Sequence, residues 1–306
     1  MSSTIPSLNT KNIFAIIVTY NPDFKVLDDV VNSLHLQVDR IIIVDNCSDA
    51  DMKTWRCDCR ALENIEILKL EKNLGIAAGQ NKGIQVAREN KARHVLLMDQ
   101  DSIPEFDMVE RLLSILIFRP AVAAVGPRYL LDRSNQVSPF VRTKGLIRDR
   151  PLCSVGTDVV QVDYLISSGC LIPIAALDIV GGMREDFFID YVDVEWGLRA
   201  NYHGLHSYGV CSAKMRHSLG GAPQIVFGKS IGTHSPLRHY YYVRNALLLY
   251  RESWVPINWK LADGWRLCLR AFVYMLFSKP RLLNMRMIPL AIFHGLTGRT
   301  GKLPRD

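Results

Sequence analysis

Two carboxylates separated by a single residue stand at Asp99-Gln100-Asp101, directly after the apolar run His94-Val95-Leu96-Leu97-Met98. Acids are rarely left unpaired beside a core, so a buried strand ending in two of them calls for a partner. In extended chain, residues two apart point to the same side, which would aim both acids at one site. Hard oxygen ligands of this kind suit Mg2+ or Mn2+, ions that commonly bridge protein carboxylates to phosphates. The plainer reading of the same stretch is a strand followed by a solvated acidic turn.

A second chemically loaded stretch runs from Phe187 to Ala200 and carries Asp190, Asp193, Glu195 and Arg199. A single carboxylate such as Asp193 can take a proton from a hydroxyl. Asp193 also fits a helix N-cap, with Glu195 as surface charge in the first turn and His203-Gly204 as the stop. His217 follows an expected strand over Ser207–Met215, and its claim as a metal ligand rests on the fold returning it to Asp101. Cys57-Asp58-Cys59 is the only close cysteine pair, and without a second pair nearby it makes a poor zinc site.

The elements that must position these groups are written in the apolar pattern. Ile13–Val18, Arg40–Val44, Ile65–Leu70 and His94–Met98 read as strands, the apolar ones among them as buried parallel strands. Helical spacing at Val26, Leu27, Val30, Val31 and Leu34, and over about Ile76–Asn90, separates them. Such β-α-β-α alternation predicts a doubly wound parallel sheet, whose ligands bind outside the carboxyl ends of the strands. Those ends carry Thr19/Asn21, Asp45/Asn46, Asn73/Gly75 and Asp99/Asp101. An acid in the place of Asp45 can accept hydrogen bonds from a base or ribose. No G-x-G-x-x-G follows the first strand and no Walker sequence is present, so Gly75–Gly79 alone is a weak phosphate loop. Further on, a helix is expected over Glu105–Phe118 and a short strand over Val122–Val125, closed by Gly126-Pro127. Leu131–Thr157 reads as an irregular loop or weak hairpin, and Val160–Ile166 as a strand leading into Ser167-Ser168-Gly169-Cys170.

The chain of 306 residues is 48% hydrophobic with a mean hydropathy of +0.07, which excludes a disordered protein. No uncharged apolar stretch reaches the roughly 18–20 residues that span a bilayer. Met1–Asn12 lacks a signal-peptide core, and seven cysteines without framework spacing fit a reducing compartment, so the expected location is the cytoplasm. Arg238–Asp306 holds 12 Lys/Arg against 3 Asp/Glu, so of the net +7 the tail carries +9 and the rest −2. Basic residues among Trp254, Trp259, Trp265, Phe272 and many leucines describe helices on an anionic membrane surface. The competing reading is a helical cap that uses these aromatics as core. No nucleic-acid-binding motif is visible.

Taken in order, these pieces resemble the inverting family-2 glycosyltransferases of GT-A fold, and among them the bacterial rhamnosyltransferases that use dTDP-L-rhamnose. The matching residues are Ile17–Asn21, Val44–Ser48, Asn73-Leu74-Gly75 with Gly79–Gly83, Met98–Asp101, Ser168-Gly169-Cys170, Phe188–Arg199 and His217, spanning roughly residues 13 to 220. The resemblance implies a GT-A-type Rossmann-like mixed α/β sheet flanked by helices, with a C-terminal helical extension. It implies nucleotide and donor contacts from Thr19, Asn21, Asp45, Asn73, Gly75, Asp99 and Gly169. Asp101, joined by His217, would ligate a divalent cation (Mg2+ or Mn2+) on the diphosphate, and Asp193 would be the base. The implied reaction moves L-rhamnose from dTDP-β-L-rhamnose to a hydroxyl of a lipid-linked bacterial glycan such as O-antigen, at the inner face of the cytoplasmic membrane.

Two residues depart from the family pattern. Many relatives carry two consecutive acids where Val192-Asp193 stands, and many carry Arg in place of Gln80, a loss for which Lys82 or Arg128 would have to compensate. The same framework serves other donors, such as UDP-galactofuranose or UDP-N-acetylglucosamine. A non-catalytic membrane-binding module would leave the four polar strand ends without purpose. The expected organisation is an extension (1–12), a nucleotide-sugar half (13–105), an acceptor and catalytic half (106–235) and a helical tail (236–306).

Overall fold

The computed structural model describes residues 12–304, apart from 50–51, 53–54, 56–63, 132–137, 139, 152, 154–157, 218–223, 227–228 and 232–233. The Cys57-Asp58-Cys59 pair and most of the N-terminal extension lie outside the described residues.

Strand β1 (Ile13–Thr19) is buried along its whole length, as a run apolar up to its final threonine must be at the centre of a two-sided sheet. It lies parallel between β2 (Arg40–Asp45) and β4 (His94–Asp99), and β3 (Ile65–Lys69) extends the sheet beyond β2. The register sets Thr19 opposite Asp45 and Val18 opposite Asp99, so the polar strand ends arrive at one edge together. Helix α1 (Phe24–Leu34) starts where the Asp23 carboxylate accepts from the Lys25 N–H at 3.0 Å, and buries Leu27, Val30, Val31 and Leu34. Helix α2 (Ile76–Glu89) lies very close to β1. A Cβ on Gly79 or Gly83 would sit 2.7 or 2.3 Å from Val18 or Ile16.

Beyond β4 the sheet becomes mixed, with β6 and β11 again parallel to each other. After β5 (Ser102–Pro104), α3 (Met108–Phe118), β6 (Val122–Leu131), the hairpin β7 (Arg142–Lys144) and β8 (Ile147–Asp149), and β9 (Val159–Val162), strand β10 (Cys170–Pro173) runs antiparallel to β4. Then come α4 (Ile174–Val180), a 3₁₀ turn over Glu185–Phe187, α5 (Val192–Tyr202) and β11 (His206–His217). The sheet order is β3-β2-β1-β4-β10-β6-β11-β5, with β9 on β11. The parallel sheet expected from alternation therefore covers only its first half, and the whole is the mixed sheet that the resemblance implied.

Strand β6 continues through Gly126-Pro127 instead of stopping there. Its partner β11 shifts register between Val210, opposite Pro127, and Lys214, opposite Arg128, and this irregularity absorbs the missing proline donor. The expected weak hairpin is β7–β8. Cys153 and Cys211 form a disulfide across a separation of 58 residues, contrary to the all-thiol expectation. Hydrogen bonds from Cys211 N–H to Asp158 O and from Ser212 to the Asp158 carboxylate bring the two segments together.

The period of two in β1 divides the interior. Ile13, Ala15 and Ile17 face α1 and α3, while Phe14, Ile16 and Val18 face the other core. That second core also takes in the last three helices, α6 (Pro236–Tyr250), α7 (Ile257–Phe277) and α8 (Arg281–Thr297), through Tyr240, Tyr241, Trp259, Leu267, Tyr274 and Ile288. A small hairpin, β12 (Gln224–Val226) and β13 (Lys229–Ile231), precedes them. The aromatics of the tail thus divide: Trp259 is core, whereas Trp265 is 68% exposed. Among the described residues, no helix is long and apolar enough to cross a membrane.

Candidate active site

The carboxyl ends of β1 and β4 and the loops after β2 and β3 open into a cleft of about 750 Å3. Thr19 and Tyr20 line it after β1, Asn46 after β2, Asn73 and Gly75 before α2, and Asp99, Gln100 and Asp101 after β4. The opposite wall is the segment Phe188–Val194. His234, Arg238 and Tyr242 close it from α6 and its approach, and Asp263 and Arg270 from α7.

Each strand end is held by its neighbours. Asp45 is fully buried below the cleft, where its Oδ1 accepts from Ser48 Oγ at 2.5 Å and from Thr19 Oγ1 at 3.3 Å. Asn46 fastens the next loop, accepting from Leu74 N–H at 2.8 Å and donating to Gly75 O at 3.1 Å. Asn73 Oδ1 accepts from Gly75 N–H at 3.0 Å. Gly75 has φ of +90°, and a Cβ there would meet Phe188 O at 2.3 Å, so only glycine fits. Asn21, Asp45 and Gly169 are not among the lining residues. Asn21 clasps Ser48 and Asp49. Gly169, at φ +77°, lets its turn pass against Pro127 beside Ser168, whose Oγ accepts from Asp99 N–H.

Strand β4 ends at Asp99 and the chain turns at Gln100-Asp101, so the extended conformation that would align the two acids does not persist. Both nevertheless reach the cleft. Gln100 secures this turn by accepting from Tyr20 N–H at 2.8 Å. His217 is paired in the main chain with Ser102, the residue after Asp101; its side chain lies outside the described residues.

Asp193 is not an N-cap. That position is Tyr191, and Asp193 sits one residue inside α5, with Oδ1 accepting from Val194 N–H at 2.9 Å. Glu195 is not surface charge either. It is buried and bound to Arg199 at 2.7 Å, and Arg199 in turn donates to Gly182 O. The cause is the way the chain enters the helix: Phe188, Asp190 and Tyr191 have φ of +66°, +64° and +62°. Left-handed backbone costs a non-glycine residue on the order of 1–3 kcal/mol. This entry turns the first helical turn so that Asp193 faces the cleft.

Burial pushes the Asp193 carboxyl up from 3.8 to about 6, the Val194 N–H opposes the rise, and the nearby Asp190 and Asp99 carboxylates add to it. Asp190 is likewise raised by burial, against the pull of Arg238, whose Nε donates to it at 3.2 Å. Buried Cys170 and half-buried Tyr129 lie near Asp193, and the loss of water around them holds both in their neutral forms at physiological pH. A carboxylate tuned near neutrality, facing two further acids across a cleft, is suited to receive a proton from a hydroxyl. The sequence reading did not single out Asp190, Tyr129, Arg238, Tyr242, Asp263 or Arg270 for the site. The available signal was the density of Tyr and Arg in Arg238–Asn245, which fits core or membrane contact equally well.

Residues 14–153 match the family described as Glycosyl transferase family 2. The chain is 32% identical over 291 residues to the dTDP-rhamnosyl transferase RfbF of Shigella flexneri, covering 95% of this chain and 97% of that protein. Among solved structures it resembles S. aureus TarS 1-349 in complex with UDP-GlcNAc, with a TM-score of 0.60, 15% identity, and coverage of 94% of this chain and 81% of that one. It also resembles GalNAc-T7 with UDP, GalNAc and Mn2+, with a TM-score of 0.61 and 13% identity, covering 96% of this chain and 59% of that one. The two structures speak for the fold. With an identity above 30% sustained over almost the whole length of both chains, the protein belongs to glycosyl transferase family 2 and is a glycosyltransferase.

Proposed function

We propose that the protein transfers L-rhamnose from dTDP-β-L-rhamnose to a hydroxyl of a glycan acceptor, with inversion at the anomeric carbon. The observation that carries this reading is Asp193, a carboxyl near neutrality that faces the polar strand ends across the cleft. The donor sugar is supported by the dTDP-rhamnosyl transferase to which the chain is similar. Thr19, Asn73 and Gly75 contact the nucleoside, with Asp45 beneath them orienting the Thr19 hydroxyl. Asn21 and Gly169 act through the loops they hold.

The acids Asp99 and Asp101 fit a divalent cation, because hard oxygen donors in a polar cleft suit Mg2+ or Mn2+, and the backbone brings His217 beside Ser102. Asp101 with His217 would hold the ion, which when bound supplies charge stabilisation to the departing diphosphate. Asp193 Oδ takes the acceptor proton as the acceptor oxygen attacks. The C1–O bond to the diphosphate breaks in the same displacement, giving an α-L-rhamnoside. Arg238 pairs with Asp190 and tempers the negative charge that this carboxylate adds beside the base.

The acceptor is proposed to be lipid-linked, at the inner face of the cytoplasmic membrane. Ile257, Leu261, Trp265, Leu269, Phe272 and Leu276 form an exposed apolar stripe on α7, in a tail of net charge +9. Apolar residues with a cationic surround suit an anionic lipid surface.

Thermal unfolding with a donor panel and Mn2+ tests the reaction. A donor at about 100 times its dissociation constant stabilises by about 2.7 kcal/mol. Stabilisation by dTDP-rhamnose above UDP-galactofuranose and UDP-N-acetylglucosamine is expected. A larger response to a UDP-sugar would overturn the donor assignment.

A further inference from the structure

The base-bearing segment is not self-supporting. Three non-glycine residues in the left-handed region, Phe188, Asp190 and Tyr191, stand within four positions. Such backbone persists only where its surroundings over-determine it. Its local hydrogen bonds are few: Phe188 N–H to Glu185 O at 3.0 Å and Ile189 N–H to Phe187 O at 2.8 Å. Something else must satisfy the carbonyls that this path turns away from regular pairing.

That partner is α6. Asn245 is fully buried, and its Nδ2 lies 2.9, 2.8 and 2.9 Å from the carbonyl oxygens of Phe187, Ile189 and Asp190. Its Oδ1 accepts from the Nε of Arg244, which aims the amide. Arg244 is 1% exposed, donates to Phe187 O at 3.1 Å, and also reaches Gly301 O and Asp186 O. The remaining carbonyl, Phe188 O, accepts from Ile76 N–H at the start of α2, 2.8 Å away. Every carbonyl from Phe187 to Asp190 therefore has a partner supplied by another element. The side chains follow the same pattern. Phe188 stacks on Tyr241, Asp190 pairs with Arg238, and Tyr191 donates to Asp263 at 2.7 Å.

We infer that Arg244 and Asn245 are positioning residues for the catalytic base: they lock the Phe187–Asp190 backbone in its left-handed path and thereby hold Asp193 toward the cleft. The inference rests on the assignment of Asp193 as the base. It also gives the C-terminal helices a catalytic purpose. They carry the clamp that sets the geometry of a residue about 50 positions upstream. Neither clamp residue is among those lining the cleft, so both act through the main chain.

Asn245→Ala removes the donors, and Arg244→Lys keeps the charge while losing the planar fork, so the second variant stands in if the first fails to fold. Each is measured for dTDP-rhamnose affinity, kcat and the pH dependence of kcat/KM, which reports the groups of the free enzyme, with Asp193→Asn alongside. Misplacement of a reacting group by about 1 Å costs on the order of 100-fold in rate. The expected result is a fall in kcat of about 10- to 100-fold with donor affinity within about twofold of the parent. The acid limb of the pH profile should also move from about 6 toward the ordinary carboxyl range, as Asp193 is released to water. General loosening of the fold would weaken donor binding and leave the acid limb in place, and that outcome would overturn the clamp. Unchanged kcat in folded Asn245→Ala would do the same. If Asp193→Asn kept full turnover, the base assignment would fail instead, so the two failures are distinguishable.

Discussion

Asp193→Asn should make the protein more stable, by an amount that depends on pH. The carboxyl has a higher affinity for its proton in the folded protein, at about 6, than its ordinary 3.8, because ionising it there leaves a charge away from water. At 1.36 kcal/mol per pH unit the difference is worth about 3 kcal/mol. Between pH 3.8 and 6 the folded state keeps a proton that the unfolded chain releases, so stability falls as pH rises through this window and the full cost is present above it. Asparagine never ionises, and its Oδ1 can still accept from Val194 N–H. Urea unfolding should therefore show a gain approaching about 3 kcal/mol at pH 8, an upper bound because cleft water screens the charge. The gain should shrink below about 1 kcal/mol at pH 4. A variant that lost stability at pH 8, or gained equally at both pH values, would refute the placement of Asp193 as a half-buried carboxyl with no cationic partner to hold its charge.

Two further perturbations test other parts of the site. Gly75→Ala places a Cβ 2.3 Å from Phe188 O on a backbone with φ of +90°, so the donor loop and the base segment must part. A loss of 1–3 kcal/mol in stability, or on the order of 10-fold in donor affinity by calorimetry, is expected, and a fully wild-type protein would contradict the contact. Replacing Leu261, Trp265 and Leu269 together by Glu removes the exposed stripe on α7 without touching its buried face. Co-sedimentation with vesicles containing anionic lipid should drop at least 10-fold while transfer to a soluble acceptor persists. Undiminished sedimentation would remove α7 as the contact.

Much of the sheet was readable because it is local. Ile13–Val18, Ile41–Val44 and Val95–Met98 are apolar without interruption, and only a strand buried on both faces accommodates that. Their polar ends meet because parallel neighbours start and stop together. The reversal at β10 was not readable, since direction is decided by where the chain returns after β9. Nor was the continuation of β6 past Pro127, which depends on an irregularity in a strand more than 80 residues away. Asp193 looked like a cap because Asp at the start of a helix generally is one. The left-handed entry at Asp190-Tyr191 displaces it, and that entry is held by Asn245 and Asp263 on helices distant in sequence. The tail was ambiguous for a related reason. One face of α7 carries Asp263 and Arg270 to the cleft, while Trp265 lies exposed on another. Composition alone does not separate two faces of one helix.

The central claim is that Asp193 removes the acceptor proton while the strand-end residues bind the donor. Single-turnover transfer by Asp193→Asn, measured together with its affinity for dTDP-rhamnose, tests it most directly. The account predicts a rate reduced by at least about 1,000-fold with donor affinity within about threefold of the parent. Transfer at the parent rate, or loss of donor binding in step with loss of rate, would contradict it.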